Sequence, residues 1–468
     1  MHEEAAASFA PSSTGQGSTG QRGVARTGAA MPFPPSRQGW YAVGILALAS
    51  CFALLDQGIM GLLINQIIAD FNLTDTQASL LLGPAFVLFY AVLGVPLSPL
   101  IDRWRRTWII SAGVLVWSLA TAACGLAANF WHLFIARFAV GAGEAVNGPA
   151  GHSIVADYFP REKLPRAVAV LHVGMVAGSG LSLLLGGTMI WLVMQIGSPE
   201  LPVLGAMRPW QLVFIGVGLP GVIVALLLLT VREPPRRRIP ADISPVPLLG
   251  AVGYMGKRFA IYGPLFIGLT LGSLDSGGRA WGAAFFERTH GWPPSTYGIA
   301  AGTVAIVAML GGLWLGTLWV ERMQRQGWAD APLRLIVFAR AITIPFAIAM
   351  PLMPNPELAL LCNAVGNMML GMSGPMLNAV ILIITPNQVR GQVMALYLFI
   401  YMVVGQGIAP VLTALTTDYL FTSPDDLRWS IMLLHVVLLP AALVVTMFGL
   451  KPFRREVERI EAEEAAAV

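Results

Sequence analysis

Long apolar runs separated by short polar stretches organise the whole chain. "WYAVGILALASCFALL" opens at Trp40 and "WSIMLLHVVLLPAALVVTMFGL" at Trp429. Runs near 20 residues match the length a helix needs to cross a bilayer. Such runs begin near Trp40, Gln77, Thr107, Trp131, Pro165, Trp210, Ala260, Tyr297, Pro332, Glu357, Gly391 and Leu427. The pattern predicts twelve transmembrane helices, an even number, so both chain ends fall on one side. The expected class is an all-α integral membrane protein.

Composition removes the soluble alternative. Of 468 residues, 56% are hydrophobic and 12% charged, with a mean hydropathy of +0.69. A soluble globular protein carries about a quarter charged residues. The 50 glycines and 33 prolines are also compatible with membrane helices, where small residues let backbones approach and proline is tolerated. Cys51, Cys124 and Cys362 all fall in apolar spans, so no disulfide is expected. Neither a metal-ligand cluster nor a cofactor motif is present.

Basic residues choose the side. On the predicted cytoplasmic stretches lie 23 Lys and Arg; only Arg208, Arg288 and Arg428 lie on the other side. Cytoplasmic loops carry the excess of Lys and Arg. Both termini are therefore expected in the cytoplasm, in a plasma (inner) membrane. The net charge of +4 reflects this topology and does not call for nucleic acid.

The predicted organisation is a disordered tail (1–39), six helices (40–231), a cytoplasmic linker (232–259), six more helices (260–450) and a cytoplasmic tail (451–468). The linker carries "VREPPRRRIPADISPVPL". The halves echo each other. Asp102-Arg103 follows the second span and Glu321-Arg322 the eighth; "FPREKLPRAVAV" follows the fourth and "TPNQVRGQVMAL" the tenth. Weak internal symmetry of this kind marks a repeat-built transporter.

On these features, and on "LLDQGIMGLLINQIIADFNLTDTQASLL", "GAGEAVNGPAGHSIVADYFP", "GMVAGSGLSLLLGG" and "VFIGVGLPGVIVALLLLTVREPPR", the chain resembles a major facilitator superfamily transporter from Trp40 to Phe453. Within it, the chain is most similar to the spinster-like branch. The resemblance implies two pseudo-symmetric six-helix bundles and a monomer. It also implies a cytoplasmic gate of Asp102, Arg103, Arg106, Asp157, Arg166, Glu321, Arg322 and Arg390. The gate loop departs from the family pattern at Ser98, Thr317 and Arg105, where glycine is usual.

Charges inside the spans carry the candidate chemistry. A charge at a helix centre costs about 2.5–3.5 kcal/mol on insertion scales, and such residues face a cavity or a partner. Arg137 and Glu144 are seven residues apart, which returns the second to the face of the first about 10 Å along the axis. Removing the two together is expected to leave no orphan charge. Asp56 in the first span lies at a similar depth, and spinster-like proteins similarly have an acid there and Arg and Glu in the fourth helix. Gln57 stands where that family often has Arg.

Desolvation favours a protonated carboxyl, and a nearby arginine favours the anion. A carboxyl balanced between them can exchange a proton near neutral pH. Asp56 and Glu144 are the candidates for proton coupling. Arg137, Asn147, Asp275 and Arg279 are the candidates for substrate contact. Asp275 and Arg279 share a face at i and i+4, and Gly277-Gly278 between them suggests a broken helix.

No nucleophile–base set or phosphate-binding loop appears, so an enzyme is not expected. The expected function is secondary, proton-coupled transport without a cofactor, by alternating access. The resemblance favours an amphiphilic anion such as a lysophospholipid. A small organic acid taken up with protons, or drug efflux by antiport, is the alternative. A non-transporting sensor would need a further domain.

Overall fold

The computed structural model describes residues 33–160, 162–197, 200–201, 205–236 and 248–466. The expected tail up to residue 32, much of the expected linker including Arg237 and Arg238, and the last two residues lie outside that set. Among the described residues, eleven helices are long and apolar enough to cross a membrane. The remaining span is interrupted: helix Phe130–Glu144 stops, Ala145 and Val146 form a turn, and helix Asn147–Tyr158 begins. Pro149 explains the break. It has no N–H to give to the Ala145 carbonyl four residues back, and its ring crowds that carbonyl. With this broken fourth span the count is twelve.

Spans 1 to 6 begin at Ser36, Asp75, Arg106, Phe130, Leu164 and Pro209. Spans 7 to 12 begin at Phe259, Pro294, Ala331, Pro356, Asn387 and Leu427. Span 1 begins on the face where span 6 ends, called the terminus face below. There the Tyr41 hydroxyl, early in span 1, meets Thr230 at the end of span 6 (2.7 Å). A two-residue hairpin, Glu200–Leu201 with Gly205–Ala206, is the one β pairing among the described residues. It occupies the loop between spans 5 and 6 and leaves the helical class unchanged.

Span 1 packs on span 5 and span 3 on span 6 in the first half; span 7 packs on span 12 and span 8 on span 10 in the second. The halves meet along spans 5 and 8. A Cβ on Gly302 would sit 2.4 Å from the Leu184 backbone nitrogen, and one on Gly187 2.8 Å from that of Ile299. These glycines let two helix backbones touch, as small residues do in lipid, where the hydrophobic effect does not drive helices together.

Span 12 runs unbroken from Leu427 to Ala466, so the segment after residue 450 continues as helix. Its Phe453 and Val457 are buried in a cluster with Ala251 of helix Leu248–Lys257 and Tyr262 of span 7.

Candidate functional site

Span 1 brings Asp56 and Gln57 to the middle of the first half, and span 4 brings Arg137 and Glu144 against them. Arg137 donates from Nη1 to Asp56 Oδ2 at 2.8 Å. The Thr121 hydroxyl donates to Asp56 Oδ1 at 2.5 Å. Both charged residues are buried, Arg137 at 1% and Asp56 at 2% exposure. The guanidinium also lies over the Phe86 ring, 5.6 Å from its centre.

Glu144 has different company. Gln57 Nε2 donates to its Oε2 at 2.9 Å, and its Oε1 has no partner. It is 3% exposed. Arg137 and Glu144 therefore share a helix face without pairing. Each is met by one of two consecutive residues of span 1. The expectation that removing Arg137 and Glu144 together leaves no orphan charge is corrected: that change would strand Asp56.

Two cavities flank this cluster. One of about 250 Å3 lies between the halves and is lined by Gln57, Arg137, Ser182, Arg279, Tyr297 and Gln406. The other, about 120 Å3, is lined by Gln57, Tyr90, Glu144, Asn147, His152 and Met175 of the first half and by Met402 of the second. Leu54 and Gln57 line both, so the Gln57 amide stands between the Arg137 side and the Glu144 side. Nothing in the spacing of the sequence marked Gln57 as this divider.

In the second half, span 7 is broken at Leu274-Asp275 and again at Trp281. The breaks fall on either side of the expected Gly277-Gly278 site. Those glycines serve close approach instead: a Cβ on Gly277 would sit 2.5 Å from the Ala409 carbonyl of span 11. Asp275 pairs with Arg279, as the spacing suggested. His435 of span 12 joins them, with Nε2 3.3 Å from Asp275 Oδ1, while its Nδ1 meets the Ala347 carbonyl at 2.9 Å. Arg279 faces the central cavity opposite Arg137. Span 11 passes the same cavity as a π-helical stretch, Met402–Ile408, which carries Gln406. Such wide turns often sit at functional sites.

The expected gate residues divide by half. Arg106 is buried and holds two acids, Asp157 at 2.5 Å and Glu233 at 2.7 Å. Glu233 was not among the expected residues, although it is the one acid in "VREPPRRR". Partial burial pushes its carboxyl toward protonation. The Thr107 backbone N–H and the Arg106 guanidinium outweigh that and hold it below its usual value. A lowered carboxyl gives its stability above the ordinary glutamate value of about 4.3, and loses it only as pH falls further. The link is thus closed throughout the neutral range. Glu233→Gln is expected to cost about 1–3 kcal/mol, read as a lower melting temperature at pH 7; an unchanged melt would remove Glu233 from the link.

Arg103 and Arg166 are exposed, and Glu321 pairs along its own helix with Arg325 at 3.6 Å. Arg322 is exposed, and Arg390 donates to the Thr385 carbonyl at 3.0 Å. Asp102 ends the second span, and its side chain is outside the described set. These bonds of the expected gate stay within each half.

The face opposite the termini is where polar side chains join the halves. Arg288 of the second half grips Asp75 of the first with two bonds, 2.6 and 2.8 Å. Its Nε donates to Asn65 Oδ1 at 3.0 Å, and Asn65 Nδ2 donates to Glu287 at 2.6 Å. The Thr76 backbone N–H donates to Asp418 at 2.7 Å. The sequence had shown Arg288 only as one of three cations on the sparse side. Asp75→Asn should loosen this clasp. Spin labels at the exposed His132 and Asp425 should then move apart; an unchanged distance would deny the clasp any part in closing this face.

Two six-helix halves, a cavity between them lined by a cation from each, and a clasp on one face define a polytopic membrane transporter. The model of the Major Facilitator Superfamily matches residues 46–410, and the chain belongs to that superfamily. It is 26% identical over 418 residues to an MFS-type efflux pump of Mycolicibacterium smegmatis, covering 87% of this chain and 90% of that one. It is 26% identical to the human protein spinster homolog 1 over 255 residues, which is 53% of this chain and 46% of that one. A solved bacterial homolog of the human lysosomal transporter spinster, inward-facing and occupied, matches with a TM-score of 0.68 at 25% identity. It covers 90% of this chain and 97% of that one. These relatives support the spinster-like branch, and a transporter rather than an enzyme.

Proposed function

We propose that the chain is a proton-coupled secondary transporter that moves an organic anion by alternating access. The observation that carries this is the contrast between the two acids of the first half. Asp56 is matched by Arg137 and Thr121. Glu144 is equally buried and has one amide for company. A buried charge without a partner is costly, whereas the same carboxyl bearing a proton is not. Its unpartnered Oε1 is the place for that proton, and Gln57 relays the change to the cavity that Arg137 lines.

With Glu144 protonated, Arg137 and Arg279 remain as the cations that line the central cavity. An anion entering there gains charge-assisted bonds that water does not screen. The terminus face is the cytoplasmic one by its excess of Arg and Lys. The clasp of Arg288 on Asp75 then closes the outer face, so the state described is shut to the outside. Of the gate residues, Arg106, Asp157, Glu321 and Arg390 bond within their own halves in this state, and the gate set meets when the cycle closes the inner face.

The branch favours a lysophospholipid-like anion. The 250 Å3 volume and relatives named as a niacin transporter and a probable L-galactonate transporter favour a small carboxylate. Proteoliposomes under an imposed pH gradient decide between them. Uptake of lysophosphatidylglycerol or of nicotinate that collapses with the gradient supports the proposal and names the class. Transport of either that ignores the gradient would overturn the coupling. Export of a hydrophobic cation in exchange for protons would establish efflux by antiport instead.

A further inference from the structure

Span 9 carries a cation that no carboxylate in the described structure matches. Arg340 makes its three hydrogen bonds through Nη1 alone: to the Gly268 carbonyl at 2.8 Å, the Ala442 carbonyl at 3.4 Å and the Thr446 hydroxyl at 2.5 Å. These acceptors fix the guanidinium on spans 7 and 12 but bring no negative charge. Its Nε and Nη2 make no bond to any described residue. Arg340 borders a cavity of about 90 Å3, which Gly272, Asp275, Arg279, Thr343, Ser373 and Tyr401 also line.

The local charges do not cancel. Asp275 is taken by Arg279, with His435 behind it. Arg340 is left over, so the mid-depth charges of the second half, Asp275, Arg279 and Arg340, sum to +1. An unmatched cation at this depth is costly unless it meets an anion. The Nε and Nη2 donors of an arginine lie in parallel and match the two oxygens of a carboxylate or phosphate. Arg279 lines both this cavity and the central one, so the two adjoin at that residue.

We propose that Arg340 is a substrate-contacting residue. The anionic group of the substrate, carboxylate or phosphate, seats on its free Nε–Nη2 edge, with Arg279 at the mouth of the pocket. This rests on the reading of the chain as an anion transporter, and assigns the anion to the second half.

Gly272 offers a test that leaves the charge in place. A Cβ there would sit 2.3 Å from Arg340 Nη2 and 2.7 Å from its Cζ, so Gly272→Ala must push the guanidinium aside. The displaced atoms are the far end of a flexible side chain, so the helices need not move.

The experiment measures binding of nicotinate and of lysophosphatidylglycerol to the purified full chain, with nicotinamide and lysophosphatidylcholine as controls. Arg340→Gln and Gly272→Ala are compared with the parent, and melting temperatures establish folding. Both variants should bind the anionic probe at least about tenfold more weakly, the loss expected for hydrogen bonds to a charged group. Arg340→Lys, which keeps the charge but not the fork, should fall between them and the parent. The controls should bind parent and variants alike. If Arg340→Gln does not fold, Gly272→Ala decides alone. Parental affinity in the folded variants overturns the proposal and leaves the transport reading standing. Failure of the parent to bind either anion overturns both.

Discussion

Glu144→Gln is expected to abolish proton-driven transport while leaving the protein folded. The substitution keeps the volume of the side chain and an acceptor for the Gln57 amide. It removes only the exchange of a proton. If the carboxyl couples transport to the gradient, flux into liposomes under a pH gradient should fall to the level of empty vesicles. Exchange of substrate across the membrane without a gradient should survive, because the halves still move. The melting temperature should stay close to that of the parent, since a neutral amide in this pocket avoids the cost of a buried charge. Gradient-driven flux at the parental rate would remove Glu144 from the coupling step.

The second large effect concerns the pair behind it. Arg137→Met should destabilise the protein by about 3–5 kcal/mol, because it strands Asp56 as an unpaired buried charge. Arg137→Met with Asp56→Asn should recover most of that loss. Asparagine keeps an acceptor for the Thr121 hydroxyl, and no charge remains to be compensated. Replacing a whole buried pair with neutral groups is often neutral or stabilising. Arg137→Met with Glu144→Leu should stay unstable, since Asp56 is still orphaned. Melting temperatures of the three variants in detergent order them. Recovery by the Glu144 change rather than the Asp56 change would mean that Arg137 pairs with Glu144 after all. The neutral Asp56 and Arg137 variant should remain stable but lose affinity for anions, because the first half's cation on the central cavity is gone.

The helices themselves were open to reading because the lipid makes a single demand. Every backbone polar group must be satisfied within the span, so length and apolarity suffice. Each expected start falls within four residues of a helix start, the widest gaps being Trp40 against Ser36 and Gly391 against Asn387. The break in span 4 was not expected, although its cause stands in the letters at Gly148-Pro149, since the missing N–H of proline acts on the residue four back whatever surrounds it. Asp275 with Arg279 was legible for a similar reason: partners at i and i+4 are set by helix geometry alone.

Asp56 was expected as a partner for the charges of span 4, but which of Arg137 and Glu144 it meets was not legible in this way. Helix periodicity put the two on one face, but which group meets a side chain depends on how span 1 is rotated against span 4. That rotation is set by packing along the whole contact and has no local code. The same holds for Glu233, carried to Arg106 by the turn of the chain after span 6, and for Arg288, which meets Asp75 from the other half. The sequence by itself determined the number of spans and the presence of charges at mid-depth, because each follows from short-range geometry and the cost of polar groups in lipid. Only the tertiary structure decided which charges are matched and which are left open: Asp56 on Arg137, Glu144 on an amide, and Arg340 on carbonyl and hydroxyl oxygens. Charge compensation is a property of distances across helices, and those distances arise when the helices pack.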